Sequence, residues 1–215
     1  MAVTDRALPR IGVLISGRGS NLQALIDSVV SGALRATVAV VISNSADAPG
    51  LGRATKAGIE TLVISHRAYD GRAAFDRALV RALVERQVEL VCLAGFMRLL
   101  GPEFCSAFPN RVVNIHPSLL PAFPGVDAQA QAIRHGVKVS GATVHLVTPE
   151  LDAGPIVQQA AVVVHDDDSS ASLAARILAV EHTIYPQAVE RLLHEPWRLD
   201  GRRLVFAGSG PTPVE

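Results

Sequence analysis

The sequence predicts an α/β protein in which a mostly parallel central sheet is flanked by helices. Short apolar runs alternate with amphipathic segments through the first half of the chain, and this alternation is typical of parallel βαβ units. A glycine-rich turn directly follows the first apolar run. The 215 residues suffice for one domain with a substantial core. We therefore expect a single domain over residues 1–215, with flexible tails at 1–9 and 208–215.

The first half of the chain contains four predicted strands and three predicted helices. In the first helix, Leu22, Leu25, Ile26 and Val29 recur at helical spacing, and Ser20 is a candidate N-cap residue. The predicted strands are 10–16, 37–42, 61–64 and 89–93, and the predicted helices run from Leu22 onward, over 51–57 and over 70–86. Strands connected through helices in this way pair in parallel.

The second half is less regular. A loop with a short helix is expected over 96–108, a fifth strand over 111–116, a short helix over 125–135, β-rich segments over 139–147 and 155–164, and a long helix over 169–193. Pro186 lies inside the long helix and is expected to kink it. The Asp200-Gly201 pair indicates a small hairpin over 198–204.

Composition argues against several classes of protein. The formal net charge is zero and aromatic residues make up 4% of the chain, which argues against a charged, stacking surface for nucleic acids. Cys92 and Cys105 are the only cysteines, and their spacing fits neither a disulfide framework nor a zinc site. No apolar run approaches the length of a membrane span, and no secretory signal is visible. We expect a cytoplasmic protein without a bound metal; its oligomeric state is open, a homodimer being one option.

The segment Asn114-Ile115-His116-Pro117 is the strongest candidate for a catalytic site. Asn114 and His116 are two residues apart on a predicted strand, so their side chains project to the same face. Pro117 excludes a helix there and keeps His116 extended. A carboxamide and a titratable ring held together suit acyl transfer, which needs oxyanion stabilisation and proton movement. A single histidine at a strand end can equally be a structural residue.

The glycine turn Gly17-Arg18-Gly19-Ser20-Asn21 is a candidate anion site. Backbone amides in such a turn, together with the start of the next helix, attract phosphate. The turn is neither a dinucleotide fingerprint, because Leu22 stands at the third glycine position, nor a Walker loop. It is either a small phosphate site at Gly19, Ser20 and Asn21 or an ordinary βα turn.

Two loops are candidates for a ligand crevice. The segment from Leu93 to Leu100 follows the fourth strand, and loops at the carboxyl ends of parallel strands line such crevices. It contains one cation, Arg98, in an apolar setting that suits a planar heterocycle; the alternative is a buried connection. Asp152 lies in a loop bounded by proline and glycine, where it is either functional or a solvated turn residue.

Taken together and in this order, the motifs S-G-x-G-S-N-L, L-A-G-F-M-R, N-I-H-P-S-L-L-P and L-D-x-G-P resemble the phosphoribosylglycinamide formyltransferase family. The resemblance spans about Arg10 to Leu204. It implies a Rossmann-like formyltransferase fold and the transfer of a formyl group from 10-formyltetrahydrofolate, as co-substrate, to the amine of 5-phosphoribosylglycinamide in purine biosynthesis. No metal and no ATP would be required.

The resemblance also implies roles for individual residues. The catalytic residues would be Asn114, His116 and Asp152, in which Asn114 and protonated His116 donate to the oxyanion while Asp152 favours the charged imidazole and organises a relay water. The substrate-binding residues would be Gly19, Ser20 and Asn21 at the phosphate and Glu181 near the ribose hydroxyls. The cofactor-binding residues would be Arg72, Met97, Arg98, Leu99, Leu100, Asn114, Thr148, Pro149, Glu150, Leu151 and Asp152. Glu181 could instead belong to a solvated helix face.

Three places depart from the family pattern. Arg18 stands inside the phosphate turn, Asp127-Ala128-Gln129 replaces a stretch that contains histidine in some members, and Pro149 replaces an acid in the folate loop. The departures concern secondary contacts and leave the three catalytic positions intact.

Rival functions have different sequence requirements. Methionyl-tRNA formyltransferase carries a C-terminal tRNA-binding domain, whereas only about a hairpin is expected here after Leu193. Formyltetrahydrofolate deformylase carries an N-terminal regulatory domain, whereas the first strand here begins near Arg10. A non-catalytic phosphate-binding module would keep the glycine turn without needing Asn114, His116 and Asp152 to converge.

Overall fold

A computed structural model describes residues 7–207, and its centre is one nine-stranded sheet. The strands are β1 (Arg10–Ile15), β2 (Thr37–Ser43), β3 (Thr61–Val63), β4 (Leu90–Leu93), β5 (Val112–His116), β6 (Val139–Leu146), β7 (Ile156–Val163), β8 (Trp197–Asp200) and β9 (Arg203–Phe206). Their order in the sheet is β3-β2-β1-β4-β5-β6-β7-β9-β8. The predicted tails at 1–6 and 208–215 lie outside the described residues, whereas the Pro9 carbonyl accepts a hydrogen bond from the Thr37 amide at 2.8 Å.

Six helices cover the two faces of the sheet in the described part of the chain. They are α1 (Ser20–Val30), α2 (Pro49–Lys56), α3 (Arg72–Glu85), α4 (Pro102–Ala107), α5 (Ala128–His135) and α6 (Ser170–His194), with a 3-10 turn at His66–Ala68. One core cluster joins the sheet to α1 and α6, and the other joins it to α3 and α4. Burial of each leucine or isoleucine in these clusters contributes about 1.5–3 kcal/mol to folding.

The sheet is parallel where the site lies, which confirms the predicted fold class. β3, β2, β1, β4 and β5 all run in the same direction; β6 then pairs antiparallel with β5, and β7 pairs antiparallel with β6. The carboxyl ends of β1, β4 and β5 therefore meet at one edge. In parallel sheets this edge carries the ligand crevice.

Tyr185 fixes the long helix α6 against this edge. Its side chain is fully buried, and its hydroxyl lies 2.9 Å from the Leu93 carbonyl and 3.2 Å from the Val113 carbonyl. Those carbonyls belong to β4 and β5, so the helix is held where the two strands end. Glu181, one helical turn earlier, is thereby brought to the same edge.

Three local predictions need correction. Ser20 is not the N-cap of α1: Gly19 takes that place with φ 70°, and Ser20 is the first helical residue. The short helix expected from 125 begins at Ala128, because Gly125 and Asp127 adopt left-handed backbone conformations with φ of 81° and 55°. The helix expected from 51 begins at Pro49, a residue that fits the first helical turn. The long helix α6 runs through Pro186 without ending there.

Candidate active site

The end of β5 presents two polar side chains toward one space, as the spacing predicts. Asn114 is half-buried and His116 is 5% exposed. The intervening residue Ile115 faces the other way and is buried in the core. The strand lies between β4 and β6, and this central position holds both polar groups on a rigid backbone.

His145 is a site residue that the sequence analysis missed. It lies on β6 opposite Asn114, and the two side chains meet at 3.1 Å between Asn114 Nδ2 and His145 Nε2. His145 Nδ1 lies 3.0 Å from the Leu146 carbonyl. Burial lowers the pKa of His145, and this outweighs the opposing effects of the Leu146 carbonyl and Asp152. The neutral ring thus donates from Nδ1 and accepts from Asn114 at Nε2.

This contact orients the Asn114 carboxamide. One of its two amide hydrogens points to His145, which leaves the second for another acceptor. Asn114 also lines a cavity beside Asp152 and Leu100. A donor fixed in this way can stabilise negative charge that develops in the cavity without reorganising during the reaction.

The loop after β6 places Asp152 beside both histidines. Asp152 Oδ2 lies 3.4 Å from His116 Nδ1 and accepts the Gly125 amide at 2.8 Å, and Oδ1 lies 3.7 Å from His145 Nε2. Asp152 has φ 48°, a left-handed conformation that aspartate tolerates better than most residues. A side chain at Gly154 would come within 1.8 Å of the Leu146 carbonyl, so only glycine allows this tight return.

His116 has an oxygen acceptor at each ring nitrogen. Nδ1 faces Asp152, while Nε2 lies 2.9 Å from the Phe123 carbonyl. A charged imidazole, which donates from both nitrogens, satisfies both acceptors. The contact with Asp152 is longer than a charge-assisted hydrogen bond of about 2.7–2.9 Å, so this nitrogen has room to share its hydrogen with a further acceptor.

The glycine turn forms one wall of a cavity of about 450 Å³. Within the described residues, the backbone N–H groups of Gly19, Ser20 and Asn21 donate to no hydrogen-bond acceptor. These amides stand at the start of α1, where the helix dipole also favours an anion. A side chain at Gly19 would come within 2.7 Å of the Gly50 backbone, and the Gly50 amide donates to the Gly17 carbonyl at 3.0 Å. The turn is thus held rigidly against α2.

Asn21 and Glu181 meet on the wall of this same cavity, which is called the acceptor cavity below. Asn21 Nδ2 donates to Glu181 Oε2 at 2.8 Å, and the two residues are 8% and 6% exposed. Glu181 is therefore no solvated helix residue. Burial raises its pKa, and the Asn21 hydrogen bond opposes that effect. Within residues 7–207, Asn21 Oδ1 is buried without a hydrogen-bond partner, so a bound ligand that donates here, such as a sugar hydroxyl, would satisfy it.

The predicted folate residues line two adjoining cavities of about 90 and 400 Å³. The smaller is lined by Leu93, Phe96, Arg98, Leu99, Leu100, Asn114, His145, Val147, Thr148, Pro149, Glu150, Leu151 and Asp152. The larger contains Arg72 and Met97 and shares Arg98 and Leu99 with the smaller. Met97, Leu99 and Leu151 are 70%, 55% and 53% exposed, which leaves apolar surface for a planar ligand.

The departures from the family pattern lie at the rims of these cavities. Arg18 is exposed and lines the acceptor cavity, as does the half-buried Gln129. Pro149 is exposed at the smaller of the two cavities that the predicted folate residues line. None of the three contacts the cluster formed by Asn114, His116, His145 and Asp152 through a hydrogen bond within residues 7–207.

Other features of the molecule fall outside this site. A cavity of about 690 Å³ lies at the opposite edge of the sheet, near Pro9, Arg111 and Trp197, and no predicted site residue lines it. In the part of the chain that the structure describes, no group of three histidine, cysteine or acidic side chains is arranged to hold a metal ion. Over the same residues, no helix is long and apolar enough to cross a membrane.

The chain is similar to proteins of known activity along nearly its full length. It is 47% identical to the phosphoribosylglycinamide formyltransferase of Escherichia coli (strain K12) over 206 residues, which cover 92% of this chain and 97% of that protein. It is 49% identical to the Bos taurus trifunctional purine biosynthetic protein adenosine-3 over 84% of this chain. That alignment spans only 18% of the much longer bovine protein.

Solved structures agree with these similarities. The glycinamide ribonucleotide transformylase 1 of Symbiobacterium toebii superposes with a TM-score of 0.93 at 51% identity, over 96% of this chain and 97% of that one. A formyltetrahydrofolate deformylase from Pseudomonas syringae pv. tomato str. DC3000 superposes with a TM-score of 0.87 at 29% identity, over 94% of this chain and 66% of that one. The formyl transferase family model matches residues 9–189, and the chain belongs to this family.

Proposed function

We propose that this protein transfers the formyl group of 10-formyltetrahydrofolate to the amine of 5-phosphoribosylglycinamide in purine biosynthesis. The observation that carries the proposal is the meeting of two cavities at the end of β5. Asn114 lines the folate cavity, whereas its neighbours Ile115 and Pro117 line the acceptor cavity. Two substrates bound on either side of this strand end would bring a formyl donor and an amine together.

The polar groups that line the acceptor cavity suit the phosphate and ribose of 5-phosphoribosylglycinamide, the formyl acceptor. The amides of Gly19, Ser20 and Asn21 would bind the phosphate, and Arg18 would add a positive charge. Glu181 and the unpartnered Asn21 Oδ1 would accept hydrogen bonds from the ribose hydroxyls. The strong identity to formyltransferases that act on this ribonucleotide supports the same assignment.

The two adjoining folate cavities suit 10-formyltetrahydrofolate, the formyl donor. The pterin would lie between Leu100 and the loop Thr148-Pro149-Glu150-Leu151-Asp152, next to the Asn114 side chain. The exposed side chains of Met97 and Leu99 would cover the rings. Arg72 and Arg98, in the adjoining cavity, would meet the negatively charged tail of the folate.

The reaction begins when the amine nitrogen attacks the formyl carbon. A carbon–nitrogen bond forms, and the formyl oxygen becomes an oxyanion that accepts hydrogen bonds from the second amide hydrogen of Asn114 and from charged His116. The bond from the formyl carbon to the folate nitrogen then breaks. The proton that the amine loses reaches this leaving nitrogen through a water held by Asp152. The step as written needs neither ATP nor a metal ion.

A three-acceptor assay tests the proposal. Purified protein is given 10-formyltetrahydrofolate with 5-phosphoribosylglycinamide, with methionyl initiator tRNA or with water alone, in the absence of ATP. We expect formylation of the ribonucleotide and little reaction otherwise. Preferential tRNA formylation would identify a methionyl-tRNA formyltransferase, formate release would identify a deformylase, and no turnover would leave a binding module. The cytoplasmic location and the homodimer stay predictions from the sequence.

A further inference from the structure

A chain of hydrogen bonds joins the acceptor cavity to the larger folate cavity. The Met97 amide donates to Ser16 Oγ at 2.8 Å, Ser16 Oγ donates to Asn44 Oδ1 at 2.6 Å, and Asn44 Nδ2 lies 3.3 Å from His66 Nδ1. Ser16 lines the acceptor cavity, His66 lines the folate cavity, and Met97 lines both. We call Ser16, Asn44, His66 and the Met97 amide the Ser16 network.

Each group in the Ser16 network has one direction of donation. The Ser16 hydroxyl accepts from Met97, so its own hydrogen is free for Asn44 Oδ1. This fixes the Asn44 amide with its nitrogen toward His66, where an unprotonated Nδ1 accepts. The three polar side chains come from the ends of β1 and β2 and from the 3-10 turn, so the network holds together segments that are distant in sequence.

Ser16 links the glycine turn to the segment that contains Met97 and Leu99. The Ser16 amide donates to the Gly95 carbonyl at 3.1 Å, and two residues later the Met97 amide donates back to the Ser16 side chain. Gly17, the next residue after Ser16, opens the glycine turn. Beyond this double link, Met97 and Leu99 are mostly exposed.

We propose that Ser16 is a positioning residue that couples the two substrate sites. This inference rests on the proposed function. A phosphate held by the glycine turn would fix the end of β1 and, through Ser16 Oγ, the segment that presents Met97 to the folate. Bound folate would in turn stabilise the glycine turn, because coupling between two sites is reciprocal. Ser16 does not touch the reacting atoms, so its effect is on binding rather than on the chemical step.

The test measures coupling between the two ligands without turnover. Tetrahydrofolate, which carries no formyl group, is titrated calorimetrically into the protein with and without saturating 5-phosphoribosylglycinamide. We expect the ribonucleotide to tighten tetrahydrofolate binding in the wild type by a factor of about 5 or more. In Ser16→Ala this factor should fall toward one, whereas Ser16→Thr, which keeps the hydroxyl, should retain it.

Further variants separate a positioning role from a general structural one. Asn44→Ala removes the second link and should also lower the coupling factor, while Ser31→Ala, whose hydroxyl donates to the Ser28 carbonyl at the end of α1, should not. In steady state, Ser16→Ala should raise the KM of both substrates and change kcat by less than about twofold.

The outcomes distinguish the inference from the proposed function. Equal coupling factors in wild type and Ser16→Ala, or a rise in only one KM, would overturn the inference while formyl transfer by the wild type continued. A wild type that shows no coupling would overturn it as well. If the wild type neither binds nor formylates the ribonucleotide, the proposed function itself is wrong.

Discussion

Replacement of His145 tests how the Asn114 donor is held. In His145→Phe a planar ring remains, but the nitrogen that accepts from Asn114 Nδ2 at 3.1 Å is lost. His145 is 2% exposed, so water cannot readily replace that acceptor. On this buried side of Asn114, a donor left without a partner costs about 1–3 kcal/mol. If this cost falls on the aligned state of Asn114, kcat should fall about 5- to 150-fold.

Asn114 sets the upper limit for this effect. Asn114→Ala removes the donor itself and should lower kcat about 10²- to 10³-fold, as for other oxyanion donors. If His145 acts only through Asn114, the double variant His145→Phe/Asn114→Ala should be no slower than Asn114→Ala. His145→Gln, whose carbonyl oxygen can accept, should recover part of the rate.

The assay is the absorbance change as the folate loses its formyl group, at saturating concentrations of both substrates. Thermal unfolding is recorded for each variant, and His165→Phe, at an exposed position outside the site, serves as the control. A normal kcat in His145→Phe would refute the argument that this contact orients Asn114. Multiplicative losses in the double variant would show that His145 acts independently.

Three further predictions follow from the acceptor cavity and from the start of α6. Gly17 has open space where a side chain would begin, so Gly17→Ala should fold normally and raise the KM for the phosphorylated acceptor about tenfold, with the folate KM unchanged. Gly52→Ala, which also points into open space, is the control. An unchanged acceptor KM in Gly17→Ala would remove the phosphate assignment. Burial raises the pKa of Glu181, so the charged carboxylate opposes folding above that pKa. Glu181→Gln should therefore be more stable to urea than the wild type at pH 8 and equally stable near pH 4, and it should bind the acceptor more weakly. A variant that is less stable at pH 8 would contradict this. The hydrogen bond from Arg176 holds the pKa of Asp168 well below its usual range, so the stability that charged Asp168 contributes is present above about pH 4 and is lost as the pH falls toward the folded-state pKa. Asp168→Asn should therefore lower the urea midpoint at pH 7 but not in acid. An equal loss at both pH values would contradict the ion-pair explanation.

The parts of the fold that the sequence predicts are those specified by local pattern. The apolar runs of β1, β2, β4 and β5 indicate buried strands, and their parallel order brings their carboxyl ends together wherever the loops then go. The approach of Asn114 and His116 follows from strand periodicity alone. Pairing with Asp152 came instead from the family resemblance, because a loop acid carries no local signal of function.

What the sequence does not predict depends on contacts between distant segments. His145 lies in a β-rich segment whose sequence does not distinguish it from a structural polar residue, and only the β5–β6 register places it against Asn114. Ser16 and Met97 are 81 residues apart. The start of α1 is set by packing of Gly19 on Gly50, which overrides the N-cap preference of Ser20. Packing contacts of this kind cannot be read from propensity.

The most direct test of the central claim compares wild type with Asp152→Asn in formyl transfer from 10-formyltetrahydrofolate to 5-phosphoribosylglycinamide without ATP. The substitution keeps the shape and an oxygen that can accept the Gly125 amide, and it removes the negative charge beside His116 and His145. We expect formylated ribonucleotide from the wild type, a fall in kcat of about 10²-fold or more in the variant, and tetrahydrofolate affinity within about threefold of wild type. A variant that turns over at nearly the wild-type kcat would contradict the assignment of Asp152, together with Asn114 and His116, as the catalytic centre.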